Sequence, residues 1–312
     1  KIYASALAMR ELGFKRVLFL VHRVTLAKQA KKSFEKVFDK KVTMGLVGAG
    51  SYEYEKDYVF ATVETLNRDT HLFQYQPDAF DCIILDEAHH SSNNIYTKVI
   101  DYFNPKLFLG MTATPDKRDD NQEGKNIYEI FHYQIAHEIR LQQAMENNLL
   151  CPFHYFGISE VVSLDDKTLQ ATKLTDDEFN QLTSDERVRH VIEQSEYYGY
   201  SGDRVRGLIF CSRVKECEEL SRKFNALGYR TIALSGSDSE EKRQKAFERL
   251  AMDEADTTEE MQPLDYIFSR DILNEGVDIV EVNQVIMLRP TQSPIVFIQQ
   301  LGRGLRKAPG KE

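Results

Sequence analysis

The stretch Ile83-Ile84-Leu85-Asp86-Glu87-Ala88-His89-His90 is an apolar run that stops abruptly at two adjacent carboxylates. An uninterrupted apolar run of this kind suits a parallel strand buried on both faces, which would deliver Asp86 and Glu87 to the carboxyl edge of a sheet. Open α/β sheets bind their ligands at that edge. Two neighbouring carboxylates there can share metal-assisted phosphate chemistry. One holds Mg²⁺ against phosphate oxygens while the other orients or deprotonates the attacking water. Taken alone, Asp-Glu-Ala-His also suits a solvated strand end, so the rest of the chain has to decide.

Outward from this stretch, short apolar runs alternate with helical patterns, the signature of parallel sheets with crossover helices. Strands are predicted at residues 17–21, 42–47, 58–63, 82–85 and 107–111, and again at 153–158, 207–211, 231–234, 266–269 and 285–288. The pattern is α/β, with two similar units in tandem. Their boundary is expected at 150–152, where a helix predicted over 136–147 gives way to Pro152 and a fresh strand, so that residues 1–150 and 151–312 form separate domains. Residues 165–186 are polar and acidic, as surface helices or a mobile insertion would be. A second acidic insertion at 252–262 carries Asp253, Glu254, Asp256, Glu259 and Glu260, and reads as a solvated loop.

A length of 312 residues accommodates two domains, each with its own core. Hydrophobic residues at 42% and charged residues at 29% describe an ordinary soluble composition. No run approaches the roughly 18 apolar residues of a membrane helix, and the N-terminus carries no signal-peptide pattern. Cys82, Cys151, Cys211 and Cys217 show no paired metal-ligand spacing, from which a reducing, cytoplasmic setting and no structural zinc are expected. A formal charge of −9 argues against a protein that coats nucleic acid indiscriminately. It leaves room for a locally positive groove.

Further motifs fall at strand ends or helix starts. His22-Arg23 through Gln29 follow the first strand, and Thr62 lies in Ala61-Thr62-Val63-Glu64-Thr65-Leu66. Thr112-Ala113-Thr114-Pro115 end the strand after the acidic pair, and Phe210-Cys211-Ser212 end a later one. Asn274-Glu275-Gly276-Val277-Asp278-Ile279 and Gln299-Gln300-Leu301-Gly302-Arg303-Gly304-Leu305-Arg306 complete the set. In identity and order these motifs resemble those of the superfamily 2 helicases and translocases of the DEAD/DEAH type, over nearly the whole chain. The phrasing of the last two is similar to that of helicase-like proteins grouped with the motor (Res) subunits of restriction enzymes.

The resemblance implies two tandem RecA-like domains with ATP bound between the lobes. By it, Asp86 would hold Mg²⁺ through water, Glu87 would position the hydrolytic water, and His89 would couple the nucleotide to the other lobe through Gln299. Arg303 and Arg306 match the finger positions, where a permanently charged guanidinium meets charge building on the phosphoryl group. Asp278 would contact the ribose, and Gly276 would let the backbone approach it. His22, Arg23, Thr62 and Ser212 would hold the phosphates of a nucleic acid, DNA being favoured over RNA. Thr112 and Thr114 would link nucleotide state to that grip. Taken singly, His22, Arg23, Thr62 and Ser212 each also read as an ordinary loop or cap residue. A non-catalytic two-lobe scaffold, or a phosphate-binding ATPase with no polynucleotide partner, would not need the full set. The motor subunit of a restriction or defence complex would.

One departure stands out. The phosphate-binding Gly-x-x-x-x-Gly-Lys-Ser/Thr loop of the family should precede the first helix, and the sequence begins at that helix. By position Lys1 could serve as the loop lysine, but Ile2 would then stand where a Mg²⁺-binding hydroxyl is needed. The expectation is a piece of a longer motor, lacking the loop at one end and any domain beyond Glu312 at the other. By itself it would bind ATP weakly and hydrolyse it negligibly.

Overall fold

The computed structural model describes residues 1–39, 42–88, 94–113, 127–159, 161, 174–273, 279–289 and 294–311. The chain divides into two compact units, Lys1–Glu138 and Ile139–Glu312, so the break falls before the helix Leu141–Glu146.

The first unit is built on a six-stranded sheet of order β3-β2-β4-β1-β5-β6. Its strands are β1 Val17–Val21, β2 Met44–Gly48, β3 Ser51–Tyr52, β4 Tyr58–Thr62, β5 Cys82–Asp86 and β6 Leu107–Met111. All pair in parallel except the short β2/β3 hairpin. The apolar runs are explained by burial on both faces. In β1, Val17, Phe19 and Val21 face one core with Ala6, Met9 and Phe34 from the helices Ile2–Leu12 and Val24–Glu35. Leu18 and Leu20 face a second core with Ile83, Leu85, Tyr75 and Phe103. An aromatic cluster fixes the first helical layer, with the Phe34 ring 5.5 Å from Phe19 and 5.2 Å from Phe60, both edge-to-face. The helix Ile2–Leu12 ends at Gly13, whose φ of 67° lets its amide cap the last turn on Met9 and Arg10.

The second unit holds a four-stranded, wholly parallel sheet of order β10-β7-β9-β8, from β7 Gly207–Phe210, β8 Thr231–Leu234, β9 Tyr266–Ser269 and β10 Gln284–Met287. Leu208 and Phe210 pack on one face, Ile209 and Cys211 on the other. The acidic segment predicted at 165–186 contributes two helices. Asp176–Leu182 starts with a Thr175/Glu178 capping box, and Asp185–Tyr198 starts with the Ser184 hydroxyl on the Arg187 amide.

Two expectations need correction. Residues 153–158 form no strand. Their aromatic side chains favour β structure but find partners one at a time, Phe156 stacking on Tyr198 at 3.9 Å and Tyr155 meeting Phe297 edge-on at 5.7 Å. The helix expected over 136–147 is confined to Leu141–Glu146, where Ala144 alone is buried and no apolar stripe extends it.

The acidic insertion at 252–262 is exposed, yet it is clasped to the amino-terminal side of the second sheet. Asp253 accepts from Arg206, and Glu254 is forked by Arg230, which also reaches Asp265 at 2.8 Å. The Arg230 guanidinium holds the Glu254 carboxyl below its ordinary range. Because that pKa is lowered by folding, the clasp contributes stability above the unfolded value of about 4.3 and loses it as pH falls through the lower, folded one. Thermal midpoints of wild type and Glu254→Gln should therefore differ modestly near neutrality and converge in acid. A constant difference down to pH 3 would show that the pair does not act through charge.

Candidate functional site

The parallel sheet of the first unit gathers its strand ends along one edge. Register places Thr62 opposite Val21, which His22 follows, and Asp86 opposite Met111, which Thr112 follows. Five of the residues singled out in the sequence, His22, Arg23, Thr62, Asp86 and Thr112, thus belong to one edge, with Glu87 directly after β5. His89, Thr114, Gly276 and Asp278 lie outside the described residues.

Asp86 ends β5 with 6% of its surface exposed. Burial pushes its carboxyl above the ordinary range, the Lys1 ammonium opposing this and the Glu87 charge adding to it. The Glu87 main-chain N–H donates back to Asp86 Oδ1 at 3.0 Å, an arrangement permitted by a left-handed Glu87 backbone with φ 50°. A non-glycine residue held there costs of order 1 kcal/mol or more, and such strain gathers at working sites.

Lys1 Nζ donates to Glu87 Oε1 at 2.7 Å and stands 3.8 Å from Asp86 Oδ1. A cation, the Lys1 ammonium, therefore already sits against both carboxylates. The donor set suits Mg²⁺ bound chiefly through phosphate oxygens and water, with one or two carboxylates from the protein. Among the described residues no cluster of three or more His, Cys, Asp or Glu could cage a metal by itself.

The nucleic-acid candidates differ in what their side chains are doing. Arg23 is exposed at the start of the helix Val24–Glu35, and His22 is half-buried beside it. Thr62 is nearly buried and caps the helix Val63–Leu66, its hydroxyl accepting from the Thr65 amide and sharing a 2.8 Å bond with the Thr65 hydroxyl. In the second unit, Ser212 donates its hydroxyl to Glu216 Oε2 at 2.6 Å, and its main-chain N–H meets the same oxygen at 2.9 Å. A carboxylate only accepts, so the Ser212 proton is committed inward. In this arrangement the hydroxyl shapes its loop and accepts from Arg213 Nη1 at 3.0 Å.

Glu216 and its partner Arg187 were not foreseen in the sequence. Glu216 is fully buried and takes a 2.9 Å bond from Arg187 Nη1, while Arg187 also donates to the carbonyls of Leu182 and Leu288. The only sequence signal was an acid at the third position of the helix Val214–Ala226. Removing one partner of a buried pair leaves the other charge stranded, so Glu216→Ala should cost about 3–5 kcal/mol in a denaturant titration. A loss under 1 kcal/mol would mean that Arg187 is hydrated or finds another partner.

The arginine motif follows the helix Pro294–Leu301. Gln299 is partly exposed, whereas its neighbour Gln300, given no role in the sequence reading of the motif, is completely buried. Arg303 and Arg306 lie in the succeeding turn, which is pinned by main-chain bonds from Gly302 to Ile298 (2.8 Å) and from Cys151 to the Leu305 carbonyl (2.8 Å). A Cβ on Gly304 would come within 3.1 Å of Val285, so the turn is pressed onto β10.

Tandem parallel-sheet units, the first with an acidic strand end and the second with an arginine turn, define a helicase-like core of RecA-like fold. Residues 2–117 match the family described as Type III restriction enzyme, res subunit, and residues 187–308 match the Helicase conserved C-terminal domain. The chain belongs to the superfamily 2 helicase-like proteins, in the group that includes the restriction-enzyme Res subunits.

The IRC3 protein of Saccharomyces cerevisiae, whose name carries the description ATP-dependent helicase, is 25% identical over 313 residues, covering 95% of this chain and 42% of that protein. The Type I restriction enzyme EcoAI endonuclease subunit of Escherichia coli is 23% identical over 324 residues, covering 94% of this chain and 38% of that subunit. The chain thus spans less than half the length of either relative. The solved structure of the ATP-dependent Type ISP restriction-modification enzyme LlaBIII bound to DNA superposes with a TM-score of 0.66 at 19% identity, covering 99% of this chain and 24% of that one. The Hef helicase domain of Pyrococcus furiosus gives 0.53 at 17%, covering 99% and 88%. At such identities the structural likeness speaks for the fold alone.

Proposed function

We propose that this chain is the motor core of an ATP-dependent nucleic-acid translocase, with residues 1–150 as its ATP-binding lobe and residues 151–312 as its C-terminal helicase lobe. The reading is carried by the Asp86–Glu87–Lys1 group at the carboxyl edge of the first sheet, two carboxylates and a cation at the place where such sheets hold phosphate. Bound Mg²⁺–ATP would supply the phosphoryl group and the charge that the carboxylates balance. Asp86 would hold the ion through water and Glu87 would orient the attacking water. Lys1 would turn from the carboxylates to phosphate. Gln299, Arg303 and Arg306 would meet the same nucleotide from the second unit, with His89, Gly276 and Asp278 in their family roles. Thr112 and Thr114 would pass nucleotide state to the strand-end contacts.

His22, Arg23 and Thr62 would grip phosphates without reading bases, and Ser212 would shape the corresponding loop of the second unit. DNA is the proposed track, since residues 2–117 match the restriction-enzyme Res family and the similar LlaBIII structure is bound to DNA. Further nuclease or restriction-type domains or subunits would complete the machine. Its four buried thiols suit a reducing, cytoplasmic setting, and no helix among the described residues is long and apolar enough to cross a membrane. The test is ATP hydrolysis by the native protein with and without DNA or RNA. Stimulation by DNA supports the reading, and hydrolysis indifferent to either polynucleotide would overturn it.

A further inference from the structure

The arginine turn is tied down by a residue that the motif does not include. Lys311 is partly buried, and its ammonium donates to the main-chain oxygen of Arg306 at 2.7 Å and to that of Val280 at 3.3 Å. Its own carbonyl accepts from the Cys151 thiol at 3.6 Å, and its amide bonds to the Ala308 carbonyl at 3.2 Å. One side chain therefore joins the arginine turn to the segment 279–281, which in sequence follows the Asn-Glu-Gly-Val-Asp motif. We propose that Lys311 is a positioning residue, its ammonium clamping the Arg306 and Val280 carbonyls so that the arginine turn holds its place during hydrolysis. This rests on the reading of Arg306 as a finger.

Geometry and charge together support the clamp. The turn is already pressed onto β10 at Gly304, so a freed Arg306 carbonyl could relax only by moving the backbone that carries the guanidinium. Lysine is a costly residue to bury for packing alone, since its charge is drawn out of water. The charge is in use here, because hydrogen bonds from an ammonium are roughly twice as strong as those from a neutral amine. Burial brings the Lys311 pKa down to about 8, with Cys151 and Glu281 opposing that shift and Arg306 adding to it.

The pH dependence separates positioning from mere structural support. As pH rises through about 8 the ammonium is lost, the clamp weakens and turnover should fall. Stability moves the other way. The native state binds fewer protons at Lys311 than the unfolded chain between about 8 and the ordinary value near 10.4, so this group's contribution rises with pH across that window.

Lys311→Met keeps the stem and removes the donors, while Lys311→Arg keeps donors that stay charged throughout. In the native protein, Lys311→Met should lower kcat for ATP roughly ten- to a hundredfold with KM little changed, as expected when a catalytic group is misplaced by about an ångström. Lys311→Arg should recover most of the turnover and abolish the decline above pH 8. Wild-type kcat in Lys311→Met beside an inactive Arg306→Ala would overturn the clamp alone. So would an unchanged alkaline decline in Lys311→Arg, or a fall in thermal midpoint large enough to account for the lost turnover. Normal turnover in Arg306→Ala would instead remove the finger reading on which the clamp depends.

Discussion

Glu87→Gln in the native protein is expected to bind ATP almost normally and to hydrolyse it slower by on the order of a hundredfold or more. The substitution preserves size and a hydrogen-bonding tip but removes the basic carboxylate. Nucleotide binding should survive because Asp86 and Lys1 remain, and the Glu87 main-chain N–H still braces Asp86 at 3.0 Å. The backbone argues in the same direction. A φ of 50° at the acidic residue directly after a buried strand is a strained backbone of the kind that gathers at working sites, and the Glu87 carboxylate lies beside Lys1. Binding of a fluorescent ATP analogue together with single-turnover hydrolysis would separate the two steps. Near-normal turnover in the variant would remove Glu87 from the role of water-activating group. Weakened binding with unchanged chemistry would make it a nucleotide ligand instead.

What could be read from the sequence, and what could not, follows from the range of the interactions involved. Strands β1, β5 and β7 were recognisable because a parallel strand covered on both faces must be apolar at every position, and Val17–Val21 packs into two cores at once. The strand end at Asp86 was recognisable for the same reason, since an acid cannot continue such a run. The two-residue β3 was not, because it depends on the turn at Ala49 and Gly50, with φ of 52° and 83°, rather than on any apolar period. Residues 153–158 misled in the opposite sense, their aromatic rings meeting single partners far along the chain, Tyr198 and Phe297, instead of a ladder. Of the proposed functional residues, Asp86, Thr62 and Arg303 announce themselves through neighbours in sequence. Arg187 meets Leu288 and Glu216 across long separations in the chain, and Lys311 meets Val280 only through folding. A lone Lys or Arg in a sequence carries no sign that its charge will be buried against carbonyls.

The proposed finger arginines of the second unit yield the second large effect. Arg303→Ala and Arg306→Ala should each slow hydrolysis by about 10³- to 10⁵-fold, the range a finger guanidinium is worth, while ATP and nucleic-acid binding change little. The reason is timing. The charge these residues answer develops on the transferring phosphoryl group in the transition state, so the ground-state complex gives up little when they are truncated. Nor should the fold suffer, because the main-chain bonds from Gly302 to Ile298 and from Cys151 to Leu305 that hold the turn are independent of either side chain. Lysine substitutions refine the test. A flexible ammonium restores the charge but not the planar fork, so Arg306→Lys should recover only a small part of the lost rate if bidentate contact matters. Recovery to near wild type would reduce the requirement to charge alone. Normal hydrolysis in either alanine variant, with nucleic acid present, would show that the arginine is no finger, and a thermal midpoint falling in step with activity would return it to a structural role.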